Sequence, residues 1–136
     1  MNILVIDGQG GKMGRLLIEE ILARLPDVKV TAVGTNSVAT AAMLKAGAVS
    51  GATGENPVSV MAARADVILG PVGIVVADAL LGEVTPRIAL AVGRSRARKI
   101  LLPYNRCDVT VIGTQGMNPN EAVRQAVEQL AAMVSE

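Results

Sequence analysis

The chain has 136 residues, of which 51% are apolar and 18% charged, and 14 further residues are glycine. Thirteen Lys/Arg against twelve Asp/Glu leave a net charge of +1, so no global field draws the protein to nucleic acid or to an anionic membrane. Histidine is absent, which excludes imidazole acid–base chemistry, Ser-His-Asp triads and histidine metal ligands.

Ile3-Leu4-Val5-Ile6 is a continuous apolar run, the mark of a strand buried on both faces of a sheet. It feeds a glycine-rich turn and then a helix in which Met13, Leu17, Ile21 and Leu25 recur every four residues, ended by Pro26. Residues 28–33 read as a second strand. Ser37 is placed to cap a helix over residues 38–46, with Gly47 suited to its left-handed exit. A short apolar piece at residues 48–50 and a turn-rich stretch at 51–56 follow. Asn56-Pro57 reads as the cap and first turn of a helix ending at Arg64. Residues 66–69 form another buried strand, broken by Gly70-Pro71-Val72-Gly73. A helix is expected over residues 74–81, closed by Gly82, and Thr85-Pro86 opens a further one. Residues 99–102 and 109–112 read as strands. In the last helix Asn118 caps, Pro119 starts, Glu121 sits three residues after the cap, and Ala122, Val123, Ala126, Val127, Leu130 and Val134 share a face.

Strands alternating with helices predict a three-layer, Rossmann-like α/β fold in one domain over residues 1–136, with a mostly parallel sheet of five or six strands. Only residues 103–108 separate the last two strands. A parallel crossover needs a dozen or more residues, so residues 109–112 are expected as an antiparallel edge strand. The 103–108 loop would then lie at the carboxyl edge of the sheet, where ligands of open α/β folds bind.

The turn Asp7-Gly8-Gln9-Gly10-Gly11-Lys12-Met13-Gly14 carries both G-x-x-G-x-x-G and G-x-G spacing between a buried strand and an amphipathic helix. Glycines there let backbone N–H groups approach a phosphate. A tight turn with no ligand would use the same residues. No Gly-Lys-Ser/Thr follows, so this is not a P-loop. The expected ligand is a nucleotide, dinucleotide or other phosphorylated small molecule. Candidate contacts are Asp7 to Gly14, then Thr35 and Asn36 after the second strand, Gly70 and Pro71 after the strand at residues 66–69, and Asn105 and Arg106 across the edge.

Gly8-Gln9-Gly10-Gly11-Lys12-Met13-Gly14-Arg15 resembles the cofactor loop of dihydrodipicolinate reductases, which implies NAD or NADP as cofactor. Gly34-Thr35-Asn36-Ser37, however, carries neither the Asp/Glu that would hold an NAD ribose nor an Arg for NADP. Most of the chain resembles a family of short bacterial proteins classed as a domain of unknown function. That resemblance runs through Asp7-Gly8-Gln9-Gly10-Gly11, Gly51-Ala52-Thr53-Gly54-Glu55-Asn56, Gly70-Pro71-Val72-Gly73-Ile74, Gly82-Glu83-Val84-Thr85-Pro86 and Pro103-Tyr104-Asn105-Arg106-Cys107. It implies a family and no activity.

The remaining candidates have structural alternatives. Cys107, the single cysteine, allows no intrachain disulfide and stands beside Arg106, which favours its thiolate; packing in a loop explains it equally. Asp7 with Glu55 would hold a divalent cation against phosphates only if the two converge. Asp78 and Glu83 fit exposed helix or turn positions. Arg94, Arg96, Arg98 and Lys99 complement a helix C-terminus, and with Tyr104 the only aromatic a nucleic-acid surface is not expected. The uncharged run between Lys29 and Lys45 is too short and polar to span a bilayer, and the opening residues carry no basic segment, so a cytoplasmic protein is expected. The surplus of apolar residues, including the alanine-rich faces of residues 38–46 and 122–132, points to a homo-oligomer. Two alternatives to a binding domain stand: a non-enzymatic oligomeric subunit, and a small enzyme using Asp7, Glu55, Tyr104 or Cys107 on a phosphorylated metabolite.

Overall fold

The computed structural model describes residues 1–103 and 108–135. Five strands, β1 (Ile3–Asp7), β2 (Val30–Gly34), β3 (Ser50–Thr53), β4 (Val67–Pro71) and β5 (Arg98–Leu102), form one sheet in the order β3-β2-β1-β4-β5, and every pairing is parallel. The chain runs outward from the central β1 to β3, then crosses to β4 and β5. That order makes the β1–β4 boundary the topological switch point of a Rossmann-like sheet.

The period of two along β1 sorts its side chains between two apolar layers. Ile3 and Val5 face a core built with α1 (Lys12–Arg24), α2 (Ser37–Ala46) and α5 (Pro119–Val134), while Leu4 and Ile6 face one built with α3 (Glu55–Arg64) and α4 (Pro86–Arg94). Helices on both faces explain the apolar surplus of the composition. Among the described residues no helix is long and apolar enough to cross a membrane.

Several elements differ from the sequence expectation. The antiparallel edge strand at residues 109–112 is not formed, and the sheet is wholly parallel. Val109 and Ile112 are instead exposed. Their β-branched composition suits a strand, but no neighbouring backbone offers a ladder. Residues 50–53, expected as the end of a short apolar piece and the start of a turn-rich stretch, are the edge strand β3. Asn36, not Ser37, caps α2, its side chain accepting from the Ala39 N–H at 2.9 Å. Gly54 rather than Asn56 stands at the N-cap of α3. The helix expected over 74–81 is replaced by a 3-10 turn, Val72–Val75, and a compact loop in which Asp78, Leu80 and Leu81 all have positive φ. The last helix is as expected, with Asn118 accepting from the Glu121 N–H at 2.8 Å and Ala122, Val123, Ala126, Val127 and Leu130 buried.

Packing explains three of the turn's glycines. A Cβ on Gly8 would meet Thr35 Oγ1 at 2.5 Å, one on Gly11 the Ala39 Cα at 2.9 Å, and one on Gly14 the Met43 sulfur at 2.5 Å. Gly11 also has φ +75°, left-handed backbone that a side chain strains. Gly10 differs: a Cβ there meets nothing within 4 Å among the described residues. Gly11→Ala is therefore expected to cost roughly 1–3 kcal/mol in urea unfolding, whereas Gly10→Ala should stay within about 0.5 kcal/mol of the parent. Equal losses would show that the turn, not its packing, sets the requirement.

Candidate functional site

The site forms where the carboxyl ends of β1 and β2 meet the turn of residues 8–11. Asp7, the last residue of β1, is only 4% exposed. Its Oδ1 accepts from the Gly8 N–H at 2.8 Å and its Oδ2 from the Gly14 N–H at 2.7 Å. One buried carboxylate thus closes the turn from both sides and satisfies an otherwise orphaned N–H in the first turn of α1. Burial pushes the Asp7 carboxyl above its ordinary range against the opposing effect of the N–H groups of Gly14, Gly8 and Met13, and the negative charge of Glu83 adds to the rise.

Glu83, which the sequence places at an exposed helix or turn position, is instead part of the site. Its Oε1 accepts from the Gln9 N–H at 2.8 Å, the Thr35 hydroxyl at 2.7 Å and the Asn36 amide at 2.8 Å. The carboxylate absent from the end of β2 in sequence is delivered there from 47 or 48 residues further along. Nothing local announces it, since the contact with Gln9 spans 74 positions. Partial burial raises the Glu83 carboxyl, but the bonds from Gln9, Thr35 and Asn36 outweigh it and hold the group below its ordinary range.

Most of the expected contacts are thereby engaged within the protein. Gln9 gives its N–H to Glu83 and its carbonyl to Asn36 Nδ2 at 2.9 Å. Thr35 and Asn36 point their polar groups at the same carboxylate. Met13 is buried in the core with α1. A Cβ on Gly70 would run into the Ile6 carbonyl oxygen, so Gly70 serves the close packing of β4 on β1, and Pro71 is buried beside it. Two backbone groups remain: among the described residues neither the Gly10 nor the Lys12 N–H meets a protein acceptor, and both residues are exposed. Pro103 follows β5 at the same carboxyl edge, while Tyr104, Asn105, Arg106 and Cys107 lie outside the described residues.

Glu55 does not join Asp7. It accepts from the Thr85 hydroxyl at 2.6 Å and approaches the Arg87 guanidinium at 3.4 Å, tying α3 to α4. Lys99 Nζ donates to the Ser95 carbonyl at 2.7 Å, using the C-terminal end of α4 as the basic run led one to expect. The arrangement at the turn offers hydrogen bonds and charge. Both Asp7 oxygens are committed to backbone, which leaves that carboxylate poorly placed to move a proton.

The two carboxyls give opposite pH dependence. Glu83, lowered in the fold, contributes stability that is present above its ordinary value of 4.5 and is lost as the pH falls through the folded value. Asp7, raised in the fold, favours the folded state below its ordinary value of 3.8, and that contribution is lost as the pH rises through the folded value. Glu83→Gln is expected to be less stable than the parent at neutral pH and to lose less stability on acidification below 4.5. Urea midpoints across that range measure this, and parallel profiles would remove Glu83 as an acid-sensitive contact.

A family model described as "Domain of unknown function (DUF3842)" matches residues 2–135. No curated protein matches the sequence. Among solved structures, the chain is similar to a dodecameric FMN-dependent Ubix-like decarboxylase from Escherichia coli O157:H7, with 13% identity and a TM-score of 0.45 over 98% of this chain and 94% of that one. It is also similar to a putative short chain dehydrogenase/reductase family oxidoreductase from Aeromonas hydrophila subsp. hydrophila ATCC 7966, with 15% identity and a TM-score of 0.46 over 99% of this chain and 74% of that one. Likenesses this distant carry nothing about chemistry.

Proposed function

This chain belongs to the DUF3842 family, and we propose that it binds a nucleotide or another phosphorylated small molecule at the outer rim of the 8–12 turn. The observation that carries this reading is Gly10. Packing accounts for Gly8, Gly11 and Gly14, but nothing among the described residues requires a bare backbone at Gly10. Its N–H and that of Lys12, the first residue of α1, have no protein acceptors among the described residues, and both residues are exposed. A phosphate oxygen there would meet two N–H donors, the positive end of the α1 dipole and the exposed Lys12 side chain. Asp7 is compatible with that pose because its charge is turned inward onto Gly8 and Gly14. The position also lies at the carboxyl edge of the sheet, beside its switch point.

A thermal-shift screen against NAD, NADH, NADP, NADPH, ATP, ADP, GTP and FMN, with and without magnesium, tests the proposal. A ligand at 100 times its dissociation constant stabilises by about 2.7 kcal/mol, several degrees in a domain of this size. Gly10→Val should melt like the parent and lose the shift, since its side chain enters the space a ligand needs and no other. Absence of any shift, or an undiminished shift in Gly10→Val, overturns the reading.

A second reading, an oligomeric interaction subunit, is favoured by Leu81, which is 84% exposed and lines one surface hollow together with Val76, Ala79 and Val109, at whose margin stand Asp78 and Asp108. Light scattering at micromolar concentration should then give a dimer or larger species that Leu81→Asp dissociates. A monomeric parent disposes of it.

A further inference from the structure

We propose that residues 78–83 are an autoinhibitory strap, and that Glu83 occupies with its own carboxylate an anion subsite that a ligand phosphate oxygen takes over when the strap lifts. This inference rests on the proposed phosphate-binding function and adds its regulation and a second contact point.

The donors and the occupant come from different parts of the fold. Gln9 N–H, Thr35 Oγ1 and Asn36 Nδ2 converge on the single atom Glu83 Oε1, at 2.8, 2.7 and 2.8 Å. Three donors on one oxygen suit any anionic oxygen, a phosphate as well as a carboxylate. These donors are fixed by the frame. Gln9 sits in the turn that Asp7 closes, the Thr35 N–H donates to the Asp7 carbonyl at 3.0 Å, and Asn36 caps α2 and donates to Gln9. Glu83, by contrast, arrives on a surface loop.

That loop carries hydrogen bonds of its own. It closes on itself, with the Asp78 N–H donating to the Val84 carbonyl at 2.7 Å and the Val84 N–H to the Ala79 carbonyl at 3.1 Å. Asp78, Leu80 and Leu81 have φ of 68°, 57° and 57°, a region that non-glycine residues, and leucine especially, rarely adopt. Such backbone persists only where surrounding contacts hold it. The contacts holding it over the site are Ala79 and Leu80, each 5% exposed and packed in the core under α3 and α4, with Leu80 also filling the space beside Gly8, and the Glu83 carboxylate. A ligand anion that replaces Glu83 removes that polar contact and lets the strained backbone relax. The parent chain therefore shows only the fraction of its intrinsic affinity that the open form allows.

Calorimetric titration of the full chain with ADP and with inorganic pyrophosphate tests this. Glu83→Ala, which vacates the subsite, should bind at least about tenfold tighter than the parent, and adding Thr35→Val, which removes a donor, should cancel most of that gain. Hydrogen–deuterium exchange of the parent is independent of whether Glu83→Ala folds well: amides of residues 78–83 should exchange faster with ADP bound. If the parent binds ADP and loses it in Gly10→Val, but Glu83→Ala binds no tighter or the strap becomes more protected, the strap fails while the binding site stands. If neither parent nor Glu83→Ala binds either probe, the binding function falls and the strap with it.

Discussion

The Asp7 carboxylate is the constraint on which this edge of the molecule depends. A strand buried on both faces has to end, reverse and enter a helix within a few residues, and the first N–H groups of that helix have no partners of their own. Asp7 resolves both demands with one side chain, holding Gly8 at the start of the turn and Gly14 in the first turn of α1. The cost is a buried charge, visible in the raised carboxyl, offset by the donors it collects. Gly14 has to be glycine for this closeness, since a Cβ there would lie 3.0 Å from that of Asp7.

With the turn closed in this way, the glycine spacing changes meaning. In the sequence, G-x-x-G-x-x-G between a strand and a helix points to a phosphate. In the fold the same three glycines answer Thr35, Ala39 and Met43. The pattern is thus a requirement of α1 lying close against α2 and the end of β2. The one glycine left over, Gly10, is the one the longer spacing does not include, and it is the position whose bare backbone suits a ligand.

What could be read from the chain alone followed from how local the determining contacts are. The α5 helix was legible because its cap, its proline and its apolar stripe all lie within 17 consecutive residues. β1 and β4 were legible as unbroken apolar runs. Residues 74–81 misled because their apolar content suits a helix, whereas Ala79 and Leu80 are buried by a loop folded over Gly8. Residues 109–112 misled in the same way, since β-branched residues signal a strand only where another strand waits. The candidate site divides along the same line. The 8–14 turn was evident, but its acidic partner Glu83 could be found only through a contact across 74 positions. Asn36 shows the intermediate case: a capping residue was foreseen at this junction, one position off, and its second bond to Glu83 was not.

The order of the strands has a consequence for how the protein is made. β1 precedes the other four strands of this sheet in sequence and is innermost among them, and its β4 partner follows more than sixty residues later, Ile3 pairing with Val67. Until then the nascent chain can complete only β1-β2-β3, with β1, apolar from Ile3 to Ile6, as an open edge. Such an edge invites pairing with another chain, and parallel partners this distant in sequence assemble slowly. The segment destined to be best protected is therefore the one exposed longest on the ribosome.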